Sequence, residues 1–390
     1  MSAGFRPFFL LSGLWAAIAL PLWLSVFAGE AAIPTALPPT AWHVHEMVFG
    51  FGAATVAGFL LTAIPNWTGR LPLQGGPLAF LVLLWGIGRL AVLFSARIGA
   101  DSAAALDLAF PLVFLAVAAR EIVAGRNWRN LPILAVLTFF AAGTLLVHLE
   151  AVGIASTAQL GNRIGGATLL MLITFVGGRI IPSFTRNWLA KQRPEIPAPA
   201  TTFGSRDRIG LACVAVALAM WVIAPQSIFA SWAELAAAIA IGVRLSRWRG
   251  NESLREPLLR VLHLGYGWLA LGFLLLGLNG LAPLMPETAA LHALTVGAIG
   301  TMTLAVMTRA SLGHTGRPLV AGPGTTAIYL LMTLAAVLRL AAPLDAAAYM
   351  GTLTLAGVAW GSAFGLFVLL YAGPLATPRI KGPTGARTNS

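Results

Sequence analysis

Charge is scarce in this chain of 390 residues. Asp, Glu, Lys and Arg together make up 10% of it, while 58% of the residues are hydrophobic. An ordinary soluble domain carries roughly 25% charged residues. No stretch is polar enough to enclose a separate soluble core, so the composition excludes a soluble protein and predicts that nearly the whole chain faces lipid or other helices.

Cysteine is almost absent too. The single cysteine, Cys213, lies inside an apolar run. Disulfides, cysteine-ligated zinc, iron–sulfur clusters and the attachment motif of c-type haem are therefore excluded. A metal would need ligands from His, Met or carboxylates, and a haem would have to be bound non-covalently.

The net charge of +12 follows a membrane-topology pattern. If the N-terminus lies in the cytoplasm, 21 of the 25 Lys and Arg residues fall toward the cytoplasmic side, and the exceptions are Arg89, Arg97, Arg163 and Arg339. Membrane proteins carry such an excess of Lys and Arg in their cytoplasmic loops. The pattern predicts that both termini are cytoplasmic, and it gives no support for nucleic acid as a partner.

Twelve apolar runs are long enough to cross a lipid bilayer, since a spanning helix needs about 20 mostly apolar residues. The sequence therefore predicts an all-α, polytopic integral membrane protein with about twelve transmembrane helices in one membrane domain. The helices are expected in two groups of six, within 8–181 and 207–373. A cytoplasmic linker at 182–206 joins the groups, and a cytoplasmic tail follows at 374–390.

The second apolar run opens with the segment WHVHEMVFGF, residues 42–51. Ionisable side chains are costly in a bilayer and persist there only with a partner or a function. Residues i and i+2 of an α-helix point about 200° apart, so His43 and His45 are expected on opposite sides, with Glu46 and Met47 on the face of His43. One helix could thus serve two metal centres. The alternative is that these residues only cap the helix at the interface.

Two more histidines are expected at the membrane level of this motif. His148 closes the fifth helix, and His292 lies one turn into the tenth. Imidazole suits iron, copper and zinc alike, so the ligand type selects no single metal. We expect these outer histidines to ligate metal, with the rings of His43, His148 and His292 converging to within roughly 10 Å. The alternative for each is a hydrogen bond to a neighbouring helix.

Histidines also occur toward the cytoplasmic side. His263 lies near the start of the ninth helix, and His314 lies in the segment TRASLGHTGRP, 308–318, between Arg309 and Arg317. This segment is either an ordinary basic loop or one that folds back to supply a metal ligand and an arginine for cofactor carboxylates. We expect His263 and His314 to form a second locus, which either binds a further haem or metal or is a structural pair.

A few further charged residues lie within the apolar runs. Arg89 and Arg163 could pair with cofactor carboxylates or with protein carboxylates. Glu46, Asp107 and Glu234 are candidate catalytic residues that relay protons from outside. For each of these residues the alternative is a structural ion pair between helices.

These motifs resemble the NnrS family, a group of polytopic membrane proteins of the bacterial inner membrane. The resemblance rests on FRPFFL at 5–10, the segment from WHVHEMVFGF to NWTGR at 42–70, WGIGRLA at 85–91, GGRIIPSFTRNWL at 177–189, and MTRASLGHTGRPL at 307–319. Together with the twelve-helix plan, it covers most of the chain.

The resemblance implies a protein that contains haem and copper and protects cells from nitric oxide and nitrosative stress, often alongside denitrification. It implies non-covalent, b-type haem and a location in the inner membrane. The first hypothesis for function is a nitric oxide reductase, with electrons from a quinol or a small redox protein. The alternatives are a protein that binds or senses nitric oxide without turnover, and a transporter of haem, copper or nitrosylated iron.

Overall fold

The computed structural model describes residues 3–192 and 203–380, which form a helical bundle. Its long helices are α1 (Phe5–Phe27), α2 (Pro39–Thr68), α3 (Gly75–Leu93), α4 (Ala100–Ala124), α5 (Trp128–Ala151), α6 (Ala158–Gln192), α7 (Ser205–Ile223), α8 (Ile228–Ser246), α9 (Pro257–Leu281), α10 (Glu287–His314), α11 (Pro323–Leu344) and α12 (Tyr349–Ala376).

The prediction of an all-helical, polytopic membrane protein is confirmed. Within the described ranges, eleven helices are long and apolar enough to cross a membrane. The seventh predicted run forms α7, which is not one of the eleven and has Arg206, Asp207 and Arg208 in its first turn. Every predicted apolar run therefore becomes a helix, and eleven of the twelve have the character of a membrane span.

The predicted linker at 182–206 begins too early. Helix α6 continues through Pro182 to Gln192, and α7 already starts at Ser205. A proline is tolerated inside a membrane helix where neighbouring groups satisfy the freed backbone carbonyl. The rest of the predicted linker, 193–202, lies outside the described residues, as does the end of the predicted tail, 381–390.

The first and last helices pack together. Trp360 of α12 donates a hydrogen bond from Nε1 to the carbonyl of Ala16 in α1, at 3.0 Å. Arg6 donates from a terminal nitrogen to the carbonyl of Leu375, at 2.9 Å. We call the end of the bundle with Arg6 and Leu375 the terminal end. The start of α2 and the end of α5 lie at the opposite end.

Helices α5 and α6 approach so closely that glycine is required at their crossing. A Cβ on Gly161 would lie 2.5 Å from the carbonyl oxygen of Gly143, and a Cβ on Gly143 would lie 2.9 Å from the carbonyl oxygen of Gly161. Small residues allow such contacts between membrane helices. The crossing holds the half of α5 that carries His148 against α6.

Gly161→Ala is therefore expected to destabilise the protein by about 1–3 kcal/mol, because backbone atoms must move apart. The matched control is Gly86→Ala in α3, where nothing lies within 4 Å of an added Cβ. Alanine there should be neutral or stabilising by up to about 1 kcal/mol. Thermal unfolding of the purified proteins measures both effects, and equal melting temperatures for the two variants would contradict the packing.

Candidate metal centre

The start of α2 changes its hydrogen-bonding pattern within the motif predicted to bind metal. Residues Pro39–His45 are α-helical, and Glu46–Gly52 form a π-helical segment. A π-helix bonds residue i to i+5, so side chains beyond Glu46 no longer follow the α-helical spacing. The backbone N–H of Glu46 still bonds to the carbonyl of Trp42, four residues earlier, and its Oε1 lies 3.1 Å from Nδ1 of His45. The placement of Glu46 on the face of His43 stays a prediction.

Glu46 belongs to a buried ion network. Trp15 of α1 donates a hydrogen bond from Nε1 to Oε2 of Glu46, at 2.8 Å. Arg89 of α3 donates to the same oxygen at 2.7 Å and, through its other terminal nitrogen, to Oδ1 of Asp107 in α4. At most 3% of Glu46, Arg89 or Asp107 is exposed. One guanidinium thus connects two buried carboxylates on different helices.

Two histidines complete this network. Nε2 of His148 donates to Oδ2 of Asp107 at 2.8 Å, and Nε2 of His45 lies 3.1 Å from the same oxygen. This His45 nitrogen is buried and makes no hydrogen bond within the described part of the chain. One potential ligand atom from each of His45, Asp107 and His148 lies within 4.8 Å of the others. We call these three residues the His–Asp–His group.

The charges of the network favour a bound cation. Two carboxylates face one guanidinium, which leaves one excess negative charge in a buried environment, where an uncompensated charge is expensive. A proton on an imidazole or a metal ion can balance it. Imidazole and carboxylate ligands are compatible with copper, zinc and iron.

The prediction that His43 and His45 point in different directions is confirmed. His43 stacks on Trp23 of α1, with ring centroids 4.1 Å apart, and its charge would interact with those of His292 and Arg339. His292 donates from Nδ1 to the carbonyl of Thr288. The structure brings the rings of His45 and His148 together, with centroids 5.2 Å apart. The convergence of His43, His148 and His292 stays a prediction.

The remaining predicted site residues lie elsewhere. Glu234 is buried in α8, and its carboxylate interacts electrostatically with that of Glu287. Arg163 donates from Nε to the carbonyl of Val222, at 3.2 Å. His263 is hydrogen-bonded to the hydroxyl of Thr185, at 2.9 Å. None of the three belongs to the His–Asp–His group, and Arg89, expected to bind cofactor carboxylates, is engaged by protein carboxylates instead.

His314 and Arg309 line a cavity of about 490 Å³ near the terminal end, which we call the large cavity. Its walls are mostly aromatic and aliphatic, with Phe9, Phe59, Phe175, Phe184 and Leu262 among them. Arg179 lies over the ring of Phe175 at 4.0 Å, and Arg309 lies over Phe184 at 4.1 Å. Neither arginine makes a hydrogen bond or salt bridge with any described residue, so their N–H groups are free for an anionic ligand.

Two contributors, Arg179 and Trp15, are not among the predicted site residues. Asp107 is a predicted proton-relay candidate, and the structure places its carboxylate against two imidazoles. The position of Asp107 inside an apolar run was the signal available. Its partners come from α2, α3 and α5, and no sequence spacing connects them.

The fold and the site define a polytopic membrane protein in which two histidines and an aspartate, buried between helices, could hold a metal ion. The sequence matches the family described as NnrS protein over residues 1–379, so the chain belongs to the NnrS family. None of the curated proteins compared with the chain matches it.

Arg89→Gln should lower the free energy of unfolding by about 3–5 kcal/mol, because it leaves Glu46 and Asp107 without their shared cation. The matched control is Arg163→Gln, which removes one hydrogen bond to a backbone carbonyl and should cost about 1 kcal/mol. Adding Glu46→Gln to the Arg89 variant should restore part of the loss. Thermal unfolding measures all three, and an Arg89 effect no larger than the Arg163 effect would contradict the ion network.

Proposed function

We propose that this protein is a haem- and copper-binding membrane protein that binds nitric oxide and reduces it, which gives resistance to nitrosative stress. The observation that carries the proposal is the buried His–Asp–His group in a chain of the NnrS family. Nitric oxide is apolar and enters lipid, so a site inside the membrane meets it readily.

The His–Asp–His group fits a copper ion. Nδ1 of His45 lies against the Glu46 carboxylate, which accepts a hydrogen bond from the protonated nitrogen and leaves a lone pair on Nε2. That Nε2 atom is buried and lacks a hydrogen bond. Carboxylates orient and tune metal-bound histidines in this way. His45, His148 and Asp107 would hold the ion, and Glu46 would fix the orientation of His45.

The large cavity fits a haem. Its volume of about 490 Å³ lies in the range of roughly 300–1,000 Å³ that is usual for cofactor and ligand sites. The aromatic walls match a flat apolar ring, and the free guanidinium groups of Arg179 and Arg309 match its two carboxylates. His314 is the imidazole that lines this cavity and would hold the haem.

In the proposed reaction, two nitric oxide molecules accept two electrons and two protons and form nitrous oxide and water. A quinol or a small redox protein would supply the electrons. The bound metals would supply the site for nitric oxide and the electron transfer. The protein excludes bulk water from the His–Asp–His group. The carboxylate of Asp107 within the group and that of Glu46 beside it can hold a proton. Glu234 stays a candidate for proton entry from α8.

The two metals should respond to different substitutions. His45→Ala is expected to abolish copper binding and leave the haem content unchanged, whereas His314→Ala should remove haem and leave copper. Glu46→Gln should weaken copper binding by about 10–100-fold, as loss of a carboxylate behind a metal-bound histidine does. The control is His263→Ala, which should keep both metals. In the wild type the ring of His263 is hydrogen-bonded to the hydroxyl of Thr185. Metal analysis and an optical spectrum of each purified protein provide the readout, and loss of both metals in every variant would contradict separate sites.

The function itself is tested by anaerobic consumption of nitric oxide by the purified protein with a quinol as reductant. One nitrous oxide should form for every two nitric oxide molecules consumed, and His45→Ala should abolish turnover. Binding that saturates without nitrous oxide would favour the non-catalytic binding or sensing protein. Haem or copper that dissociates readily and crosses vesicle membranes with the protein would favour the transporter.

A further inference from the structure

Three helices that meet inside the bundle each contain a π-helical segment. These are Glu46–Gly52 in α2, Ile173–Gly177 in α6 and Ala293–Gly300 in α10. A π-segment inserts an extra residue into a helical turn and is found frequently at functional sites. The three segments therefore mark a region where regular helix packing is interrupted.

A small cavity of about 80 Å³ lies between these helices. Every π-segment contributes to its lining: α2 provides Gly52, α6 provides Ile173 and Gly177, and α10 provides Ile299. The other wall residues are mainly aliphatic, among them Leu169, Leu172 and Met302. We call this space the π-cavity.

The π-cavity is poorly suited to water. Its hydroxyl groups are those of Thr55 and Thr303, and the Thr55 hydroxyl is already bonded to Ser12 at 2.7 Å and lies 3.2 Å from the carbonyl of Phe51. A buried water needs two to four polar partners, whereas apolar cavities stay dry and take up apolar molecules such as xenon. The lining therefore selects an uncharged, apolar occupant.

The size of the π-cavity and its neighbouring space further limit which molecules it can hold. At about 80 Å³, against about 490 Å³ for the large cavity, the π-cavity has room for small molecules and is too small for a porphyrin. It shares Phe59, Val176, Ile180 and Val306 with the lining of the large cavity. The two spaces therefore adjoin each other.

We propose that the π-cavity is a binding site for a small, uncharged gas molecule, which reaches it through the large cavity. The site lies beside the end of the π-segment whose first residue, Glu46, belongs to the ion network. This inference goes beyond the proposed function, because gas binding in an apolar cavity needs neither copper nor haem.

Xenon is the probe that tests the site. The ¹²⁹Xe chemical shift of the purified full chain in detergent, measured against xenon pressure, should show saturable binding above the linear background of the detergent. Val306→Phe fills the junction of the two cavities and should weaken saturable binding by about tenfold or more. The matched control is Val216→Phe, at a position on α7 that is 55% exposed, and it should bind like the wild type.

Two further variants keep the test decisive. Thr303→Val preserves the cavity volume and removes its remaining hydroxyl, so xenon should bind at least as tightly, even if Val306→Phe fails to fold. His45→Ala should also bind xenon normally, which separates this site from the metal centre. Purely linear uptake by the wild type, or unchanged binding by a folded Val306→Phe protein, would overturn the proposal.

Discussion

The shared salt bridge of Arg89 with Glu46 and Asp107 is the interaction on which the candidate metal centre depends. It joins α2, α3 and α4 at a depth where an unpaired charge is strongly unfavourable. Arg89 holds Glu46 and Asp107 together, and Nε2 of His45, the neighbour of Glu46, lies 3.1 Å from the Asp107 carboxylate. His148 then meets the same carboxylate from α5. The metal-ligand group is thus a consequence of charge pairing between helices.

Neighbouring residues of α2 serve different partners. His43 lies in the regular first turns and stacks on Trp23 of α1, whereas Glu46, the first residue of the π-segment, lies against His45 and Arg89. The same segment ends at Gly52, which lines the π-cavity. A regular helix over this stretch would separate these groups differently, so the irregular backbone connects the ion network to the interior space between α2, α6 and α10.

Much of the fold could be predicted from the sequence, because the length of an apolar run is a local property. Each of the twelve runs is a helix, and the largest boundary error concerns α6, which continues through Pro182 to Gln192. The opposite directions of His43 and His45 were also predictable, since both lie before the π-segment. The contacts of Glu46 with Trp15 and Arg89 were not, because they depend on how α1 and α3 pack against α2. The pairing of His148 with Asp107, and of Arg179 with the large cavity, depends on contacts between helices that no local pattern encodes.

The central claim is that His45, His148 and Asp107 bind copper, and X-ray absorption at the copper edge tests it most directly. The spectrum of the copper-loaded protein should show only nitrogen and oxygen ligands at about 2 Å, with the outer-shell scattering of two imidazoles. His45→Ala should remove that signal and His263→Ala should preserve it. A sulfur ligand at about 2.3 Å, or an unchanged spectrum in the His45 variant, would contradict the assignment.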